Sequence, residues 1–183
     1  LEKQSTGFWS DGLKKAMNDP ELKLFEDDHI TIIKDKYPKA KHHYLVLPKD
    51  NIANLKALNS SHIPLLKHMH DKALDLCKNS ESKWSFKFGY HAIPSMSHIH
   101  LHAISKDFNS TCLKTKKHWN SFNTEYFIES SDLIKKLEIE GSVSYDKAKY
   151  DVLLKSNLKC HLCSKELNTI PALKEHLLKH EPS

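Results

Sequence analysis

The sequence predicts an α+β fold with a small ββα unit at its C-terminal end. Three observations support this: short runs of alternating apolar and polar residues, a long amphipathic segment over residues 61–78, and a pair of cysteines followed by a pair of histidines near residue 180. A period of two is typical of strands with one buried face, whereas apolar residues three and four apart are typical of helices. Strands joined by one long helix predict a sheet with that helix packed on it.

The elements are predicted in the following order. Ser10 is a suitable N-cap for a short helix that ends near Met17, before a turn at Pro20. Strand-like runs lie at residues 22–26, 29–34, 43–47, 85–90 and 98–105. Apolar residues at helical spacing predict a helix over about 61–78 and another over about 131–140.

The last predicted strand contains the most informative residues of the chain. His98, His100 and His102 alternate with apolar residues. Alternate side chains of a strand share one face, so we expect the three imidazoles to line one surface. Two chemistries fit this pattern. One is a zinc site with an open position, and the other is covalent catalysis, in which one imidazole attacks phosphorus while its neighbours orient it and bind phosphate oxygens.

A second group of potential ligands lies near the C-terminus. Two residues separate Cys160 from Cys163, twelve separate Cys163 from His176, and three separate His176 from His180. This is the spacing of a ββα zinc finger, with two thiolates on a hairpin and two imidazoles one turn apart on a helix. We therefore expect one structural zinc ion per chain. Glu181 is an alternative fourth ligand, because a carboxylate also binds zinc.

Composition favours an anionic partner without requiring one. The formal net charge is +5, the pI is about 8.9, and all 28 residues counted as lysine plus arginine are lysine. Lysine binds phosphate as a point charge, whereas bidentate reading of guanine depends mainly on arginine, so we expect sequence-independent binding of nucleic acid. We expect no signal peptide, membrane segment or disulfide framework, and hence a reducing compartment.

The motif from His98 to Ile104 resembles the histidine triad superfamily of nucleotide hydrolases and transferases. Residues 35–48, 89–97 and 116–127, together with the zinc-finger-like C-terminus, resemble its aprataxin family. The resemblance implies an antiparallel sheet with packed helices in a catalytic domain over residues 1–144, a connector over 145–156 and a zinc finger over 157–183. We expect the N-terminal phosphopeptide-binding module of some aprataxins to be lacking.

This resemblance implies hydrolysis of 5′-adenylated DNA, including RNA–DNA junctions, to AMP and 5′-phosphate DNA, through a covalent histidine–AMP intermediate and with no catalytic metal. It implies that His100 is the nucleophile, that His102 binds the non-bridging oxygens and that His98 orients His100. His91 would be a donor or general acid at the leaving phosphate. The remaining nucleotide and phosphate contacts would come from Asp35 at the ribose, and from Lys39, His43, Ser95 and Ser97 at the phosphates.

Contacts with DNA are expected from two groups of residues. A basic cluster follows the triad and comprises Lys114, Lys116, Lys117, His118 and Trp119, and an N-terminal group comprises Phe8, Trp9 and Lys14. Phe8 and Trp9 could stack on a base pair at a DNA end, or could instead be a hydrophobic staple for the first helix. We expect a monomer, because DNA must reach the site, and a nuclear location, with the cytoplasm as a second possibility.

Two other functions fit the same residues. A general hydrolase of dinucleoside polyphosphates or nucleoside phosphoramidates would use the triad without DNA. A zinc-finger nucleic-acid-binding protein would use the triad as a second metal site, or would have an inactive triad.

Overall fold

A six-stranded antiparallel sheet forms the centre of the structure, a computed structural model that describes residues 12–183. Its strands are β1 (Lys23–Glu26), β2 (Ile30–Lys34), β3 (His43–Pro48), β4 (Phe86–His91), β5 (Leu101–Ser105) and β6 (Phe127–Glu129). Their spatial order is β1-β2-β3-β5-β4-β6, and each neighbouring pair is antiparallel. The predicted α+β class with an antiparallel sheet is confirmed.

The helices are α1 (12–17), α2 (Ile63–Lys78), α3 (Lys116–Asn123), α4 (Ser130–Glu140), α5 (Lys147–Asp151) and α6 (Ile170–Leu178). Short 3-10 turns lie at Leu55–Ala57, Ser60–His62 and Val152–Lys155. A two-stranded sheet of β7 (Leu158–Lys159) and β8 (Glu166–Leu167) precedes α6 and completes the predicted ββα unit. Within residues 12–183, the structure contains no helix of the length and apolarity needed to cross a membrane.

The two faces of the large sheet have different roles. Helix α2 packs on the first face because its buried residues, Leu66, Met69, Ala73 and Cys77, recur at helical spacing. They join a buried core with strand residues that include Ile32, Val46, Leu101 and Ala103. Because side chains alternate along a strand, the second face receives His43 from β3, Gly89 and His91 from β4, and His102 from β5.

Helix α3 and the ββα unit cover part of this second face. Ile104, Phe108, Trp119, Phe122 and Phe127 form one buried cluster with Leu158, Cys160, Leu173 and Leu177 of the ββα unit. Polar contacts tie the parts together. The indole N–H of Trp119 donates to the Lys159 carbonyl at 3.1 Å, and the His161 ring lies 2.7 Å from the Lys106 carbonyl. The finger and the large sheet therefore share one apolar interior.

The structure departs from the predicted elements after the triad. Helix α3 and strand β6 were not predicted, because the lysines near residue 116 favoured an exposed loop. The signal for the helix was Thr115, whose hydroxyl accepts the His118 amide at 3.1 Å as an N-cap.

Gly89 generates a prediction about stability. A Cβ atom at this position would lie 2.4 Å from the Ile128 carbonyl oxygen and 2.6 Å from the Phe127 ring. Gly89→Ala should therefore push β4 and β6 apart and destabilise the fold by about 1–3 kcal/mol. Thermal unfolding measures the change. Gly12→Ala is the matched control, because no neighbouring atom of residues 12–183 lies within 4 Å of a Cβ built there. Equal melting temperatures for the two variants would contradict the prediction.

Candidate active site and zinc centre

The three histidines lie at the start of β5 and in the turn before it. Only His102 belongs to the strand, and His98 has a φ of 71°, in the left-handed region. The prediction of one strand over residues 98–105, with three imidazoles along its face, was therefore wrong for residues 98–100. Two hydrogen bonds hold His98 in this conformation. Its backbone amide donates to the Ala53 carbonyl at 2.9 Å, and its Nε2–H donates to the Pro48 carbonyl at 2.8 Å.

The hydrogen bond that His100 donates determines which of its ring nitrogens can react. Its Nδ1 lies 3.0 Å from the backbone carbonyl oxygen of His98. A carbonyl only accepts, so Nδ1 carries the proton and Nε2 of the neutral ring carries a lone pair. Burial lowers the pKa of His100 below its ordinary value of 6.5, which favours the neutral form. The predicted nucleophile thus has a free Nε2 at neutral pH.

A second chain of hydrogen bonds fixes the tautomer of His102. The Lys39 backbone amide donates to Nδ1 of His43 at 3.1 Å, so neutral His43 carries its proton on Nε2. That Nε2 lies 2.9 Å from Nδ1 of His102 and donates to it. His102 therefore carries its own proton on Nε2, and this buried atom has no partner among the described residues. His102 can thus donate one hydrogen bond to a ligand.

Both ring nitrogens of His43 are occupied by this chain of hydrogen bonds. In this arrangement His43 sets the tautomer of His102, and the predicted contact of His43 with the substrate phosphates stays a prediction. Burial lowers the pKa of His43 to about 4, although the carboxylate of Asp35 opposes the shift. The distance from Asp35 Oδ2 to His43 Nε2 is 3.6 Å, longer than a hydrogen bond.

Asp35, His43 and His102 also bring three potential ligand atoms within 4.8 Å of one another. A metal between the two imidazoles would need lone pairs on both facing nitrogens. His43 would then carry its proton on Nδ1, where the amide of Lys39 already donates. Two donors would face each other, so the hydrogen-bond chain accounts for this cluster better than a set of metal ligands does.

His91 lies beside His102 at the end of β4. Their ring centroids are 4.4 Å apart, and His91 Nε2 is buried without a partner among the described residues. Burial lowers the pKa of His91 well below 6.5. The loop before the triad carries Ser95, which is exposed, and Ser97, which is half-buried. The structure therefore brings a further uncommitted imidazole to the triad.

The residues predicted to contact DNA differ in exposure. Lys14, Lys114, Lys116 and Lys117 are exposed, and His118 is half-buried. Trp119 is 1% exposed and its N–H is satisfied by Lys159, so the prediction that it contacts DNA was wrong. Its large apolar ring instead fills the interior between the finger and the sheet. Phe8 and Trp9 lie outside the described residues.

The four predicted zinc ligands converge in the ββα unit. One ligand atom from each of Cys160, Cys163, His176 and His180 lies within 4.8 Å of the other three. Cys163 Sγ and His180 Nε2 are each 3.2 Å from His176 Nε2. Tetrahedral zinc with bonds of about 2.0–2.3 Å places its ligands about 3.3–3.8 Å apart, so the donor set fits this ion. Glu181 does not belong to the cluster.

Two residues that the sequence did not indicate also contribute to the site. The Phe122 ring contacts His43, His91 and His102, at centroid distances of 5.4, 4.7 and 5.2 Å. Lys87 donates from Nζ to the Phe122 carbonyl at 2.5 Å. The available signal was the spacing of Trp119 and Phe122, which lie three residues apart after the Thr115 cap and therefore share a helix face.

This sheet, with its buried histidine cluster and attached finger, defines a histidine triad protein with a zinc-binding finger. The sequence matches the family described as scavenger mRNA decapping enzyme C-term binding over residues 10–118. It matches the C2HE / C2H2 / C2HC zinc-binding finger over residues 123–182. The finger match and the Cys–His cluster together confirm the predicted structural zinc.

Comparison with individual relatives identifies the family within this class of proteins. Aprataxin of Danio rerio is 55% identical, over 98% of this chain and 56% of that protein. The aprataxin-like protein of Saccharomyces cerevisiae is 32% identical, over 92% of this chain and 94% of that protein. The chain belongs to the aprataxin family, and it spans just over half the length of the Danio rerio relative. A crystal structure of the aprataxin ortholog Hnt3 in complex with DNA shares the fold, with a TM-score of 0.76 and 24% identity over 94% of both chains.

The geometry of the zinc centre predicts the fourth ligand. His180→Gln should lower the bound zinc below one ion per chain, whereas Glu181→Gln should retain the ion, because only His180 belongs to the cluster. Elemental analysis of the purified protein after dialysis measures this. Loss of zinc from the Glu181 variant alone would assign the fourth position to the carboxylate. Two tightly bound zinc ions in the unmodified chain would contradict a metal-free triad.

Proposed function

We propose that this chain hydrolyses 5′-adenylated DNA ends, including RNA–DNA junctions, to AMP and 5′-phosphate DNA. The observation that carries the proposal is the hydrogen bond from His100 Nδ1 to the His98 carbonyl, which leaves Nε2 free beside a donor on His102. Membership of the aprataxin family supports the choice of adenylated DNA as the substrate.

In the first step, the Nε2 lone pair of His100 attacks the α-phosphorus of the adenylate. A bond forms between Nε2 and phosphorus, and the bond from phosphorus to the bridging oxygen breaks. The bridging oxygen and its electron pair leave with the DNA as a 5′-phosphate, and AMP remains on His100 as a phosphoramidate. The proton on Nδ1 stays hydrogen bonded to the His98 carbonyl, which stabilises the positive charge that develops on the ring.

In the second step, water attacks the same phosphorus and the bond to Nε2 breaks. The electron pair of the broken bond returns to His100. The water supplies the new oxygen of AMP, and one proton of the water is released. The ring is left with its original tautomer, because Nδ1 remains a donor throughout. The same geometry thus serves both steps.

The surrounding side chains neutralise charge as it moves. His102 donates from Nε2 to a non-bridging oxygen of the α-phosphate, and Lys39 supplies positive charge on the same side of the site. His91 donates to the leaving phosphate from Nε2, which has no other partner among the described residues. Asp35 binds the ribose hydroxyls, while Ser95 and Ser97 donate to the α-phosphate from the loop before the triad.

The DNA is held through its phosphates. Lys14, Lys114, Lys116 and Lys117 are exposed and suit a polyanion of any sequence. We assign the catalytic domain to residues 1–144, the connector to 145–156 and the finger to 157–183. The chain acts as a monomer, and a substrate formed at DNA breaks places it in the nucleus.

The reaction predicts a strict dependence on His100. His100→Ala should abolish AMP release from a nicked duplex with a 5′-adenylate, because the proposed first step depends on the Nε2 lone pair of His100. His102→Ala should slow release by about 10²- to 10³-fold, the usual cost of losing one oxyanion donor. Release of labelled AMP measures both effects.

A comparison of substrates tests the role of DNA in the same assay. The adenylated nick should be turned over faster than a small dinucleoside polyphosphate at the same concentration, and the preference should weaken with added salt. AMP release by the His100→Ala variant would contradict the covalent mechanism. Equal turnover of the dinucleotide would identify a general nucleotide hydrolase.

The site also predicts a pH profile. Burial lowers the pKa of His100 below 6.5, so its neutral form persists as the pH falls through that value and is lost only at lower pH. We expect single-turnover AMP release to be flat from about pH 8 to about pH 6.5 and to decline below that range. A rapid-quench series measures the profile. A decline in the rate of AMP release with a midpoint at or above pH 6.5, the ordinary pKa of histidine, would contradict a buried neutral nucleophile.

A further inference from the structure

The Phe122 ring touches three imidazoles of the site. It stands at interplanar angles of 86° to both His43 and His102 and at 64° to His91. Phe122 itself is 2% exposed. One buried ring therefore packs against both partners of the hydrogen bond that sets the tautomer of His102, and against the neighbouring His91.

This bond is sensitive to ring orientation. His43 Nε2 and His102 Nδ1 are 2.9 Å apart, and hydrogen bonds weaken steeply when the donor and acceptor lose alignment. His102 has no other side-chain hydrogen bond among the described residues, so the bond from His43 alone does not prevent the His102 ring from tilting about its side-chain torsions. The close-packed Phe122 ring, which is perpendicular to both imidazole planes, prevents the tilt, because tilting would bring ring atoms closer than van der Waals contact.

Phe122 is in turn fixed by the backbone that carries it. Lys87 Nζ donates to the Phe122 carbonyl at 2.5 Å near the end of α3, and the same amine lies 5.0 Å from the centre of the Phe127 ring. Earlier in α3, the Asn120 amide donates to the Leu154 and Ser156 carbonyls at 3.1 and 2.8 Å. The helix is therefore anchored to β4 and to the connector.

We infer that Phe122 is a positioning residue, whose ring holds His43, His91 and His102 in the planes that phosphoryl transfer requires, with Lys87 fixing the helix that carries it. This inference rests on the proposed function for its kinetic consequence. Its structural content, a locked tautomer of His102, is independent of the substrate.

The test compares Phe122→Leu with Phe108→Leu. Both residues are buried in the same apolar cluster, but the aromatic neighbours of Phe108 are Trp119, Phe122 and His161. Both variants should lose similar thermal stability. Phe122→Leu alone should lower kcat for AMP release from the nicked adenylate, by about 10- to 100-fold with KM unchanged. Lys87→Met should act in the same direction with a smaller loss.

A spectroscopic readout separates positioning from general loss of structure. In ¹⁵N NMR at neutral pH, His102 should show a single Nε2–H tautomer in the unmodified chain and in Phe108→Leu, and an average of two tautomers in Phe122→Leu. An unchanged tautomer in Phe122→Leu, or equal kcat values for the two leucine variants, would overturn the inference. If the unmodified chain releases no AMP, the proposed function fails, and the NMR comparison still decides the role of Phe122.

Discussion

The arrangement of the histidine site depends on keeping its imidazoles neutral. A protonated imidazole donates from both nitrogens, so a charged His43 would present a second donor to the Lys39 amide. A charged His100 would have no lone pair with which to attack. Burial disfavours the charged forms and lowers the pKa of both residues, of His43 to about 4. Exclusion of water therefore favours the neutral rings, and hydrogen bonds to the backbone select their tautomers. In the proposed function, these tautomers decide which nitrogen attacks and which donates.

Two layers of the fold provide this exclusion. Helices α2 and α4 cover the first face of the sheet and fix the strands, while α3 and the finger cover part of the second face. The finger has few apolar residues of its own, and such small units are usually stabilised by their metal. Leu173 and Leu177 pack into the same cluster as Phe122, which touches the imidazoles. The finger thus shares an apolar cluster with the ring that lies against the imidazoles.

Sequence patterns were reliable where one local constraint dominates. The helical spacing of Leu66, Met69 and Ala73 predicted α2, and ligand spacing predicted the group that contains Cys160 and His176. Alternation alone misplaced His98, because its conformation depends on carbonyl groups of Pro48 and Ala53, some fifty residues away along the chain. The contact between Phe122 and the imidazoles depends on the packing of separate elements in the same way. The division of the chain near residues 144 and 156 stays a prediction.

The position of Trp119 in helix α3 explains why the prediction that it contacts DNA was wrong. An aromatic residue among lysines is compatible with a nucleic-acid surface and also with an amphipathic helix. The spacing of three residues between Trp119 and Phe122 places both on one face, which is buried, while Lys116 and Lys117 remain exposed. In the proposed function, one short helix therefore presents lysines to the phosphates of DNA and an aromatic ring to the imidazoles. Lysine binds phosphate without base-specific geometry. In the proposed function, selectivity therefore comes from binding of the adenylate in the histidine site and not from the sequence of the DNA strand.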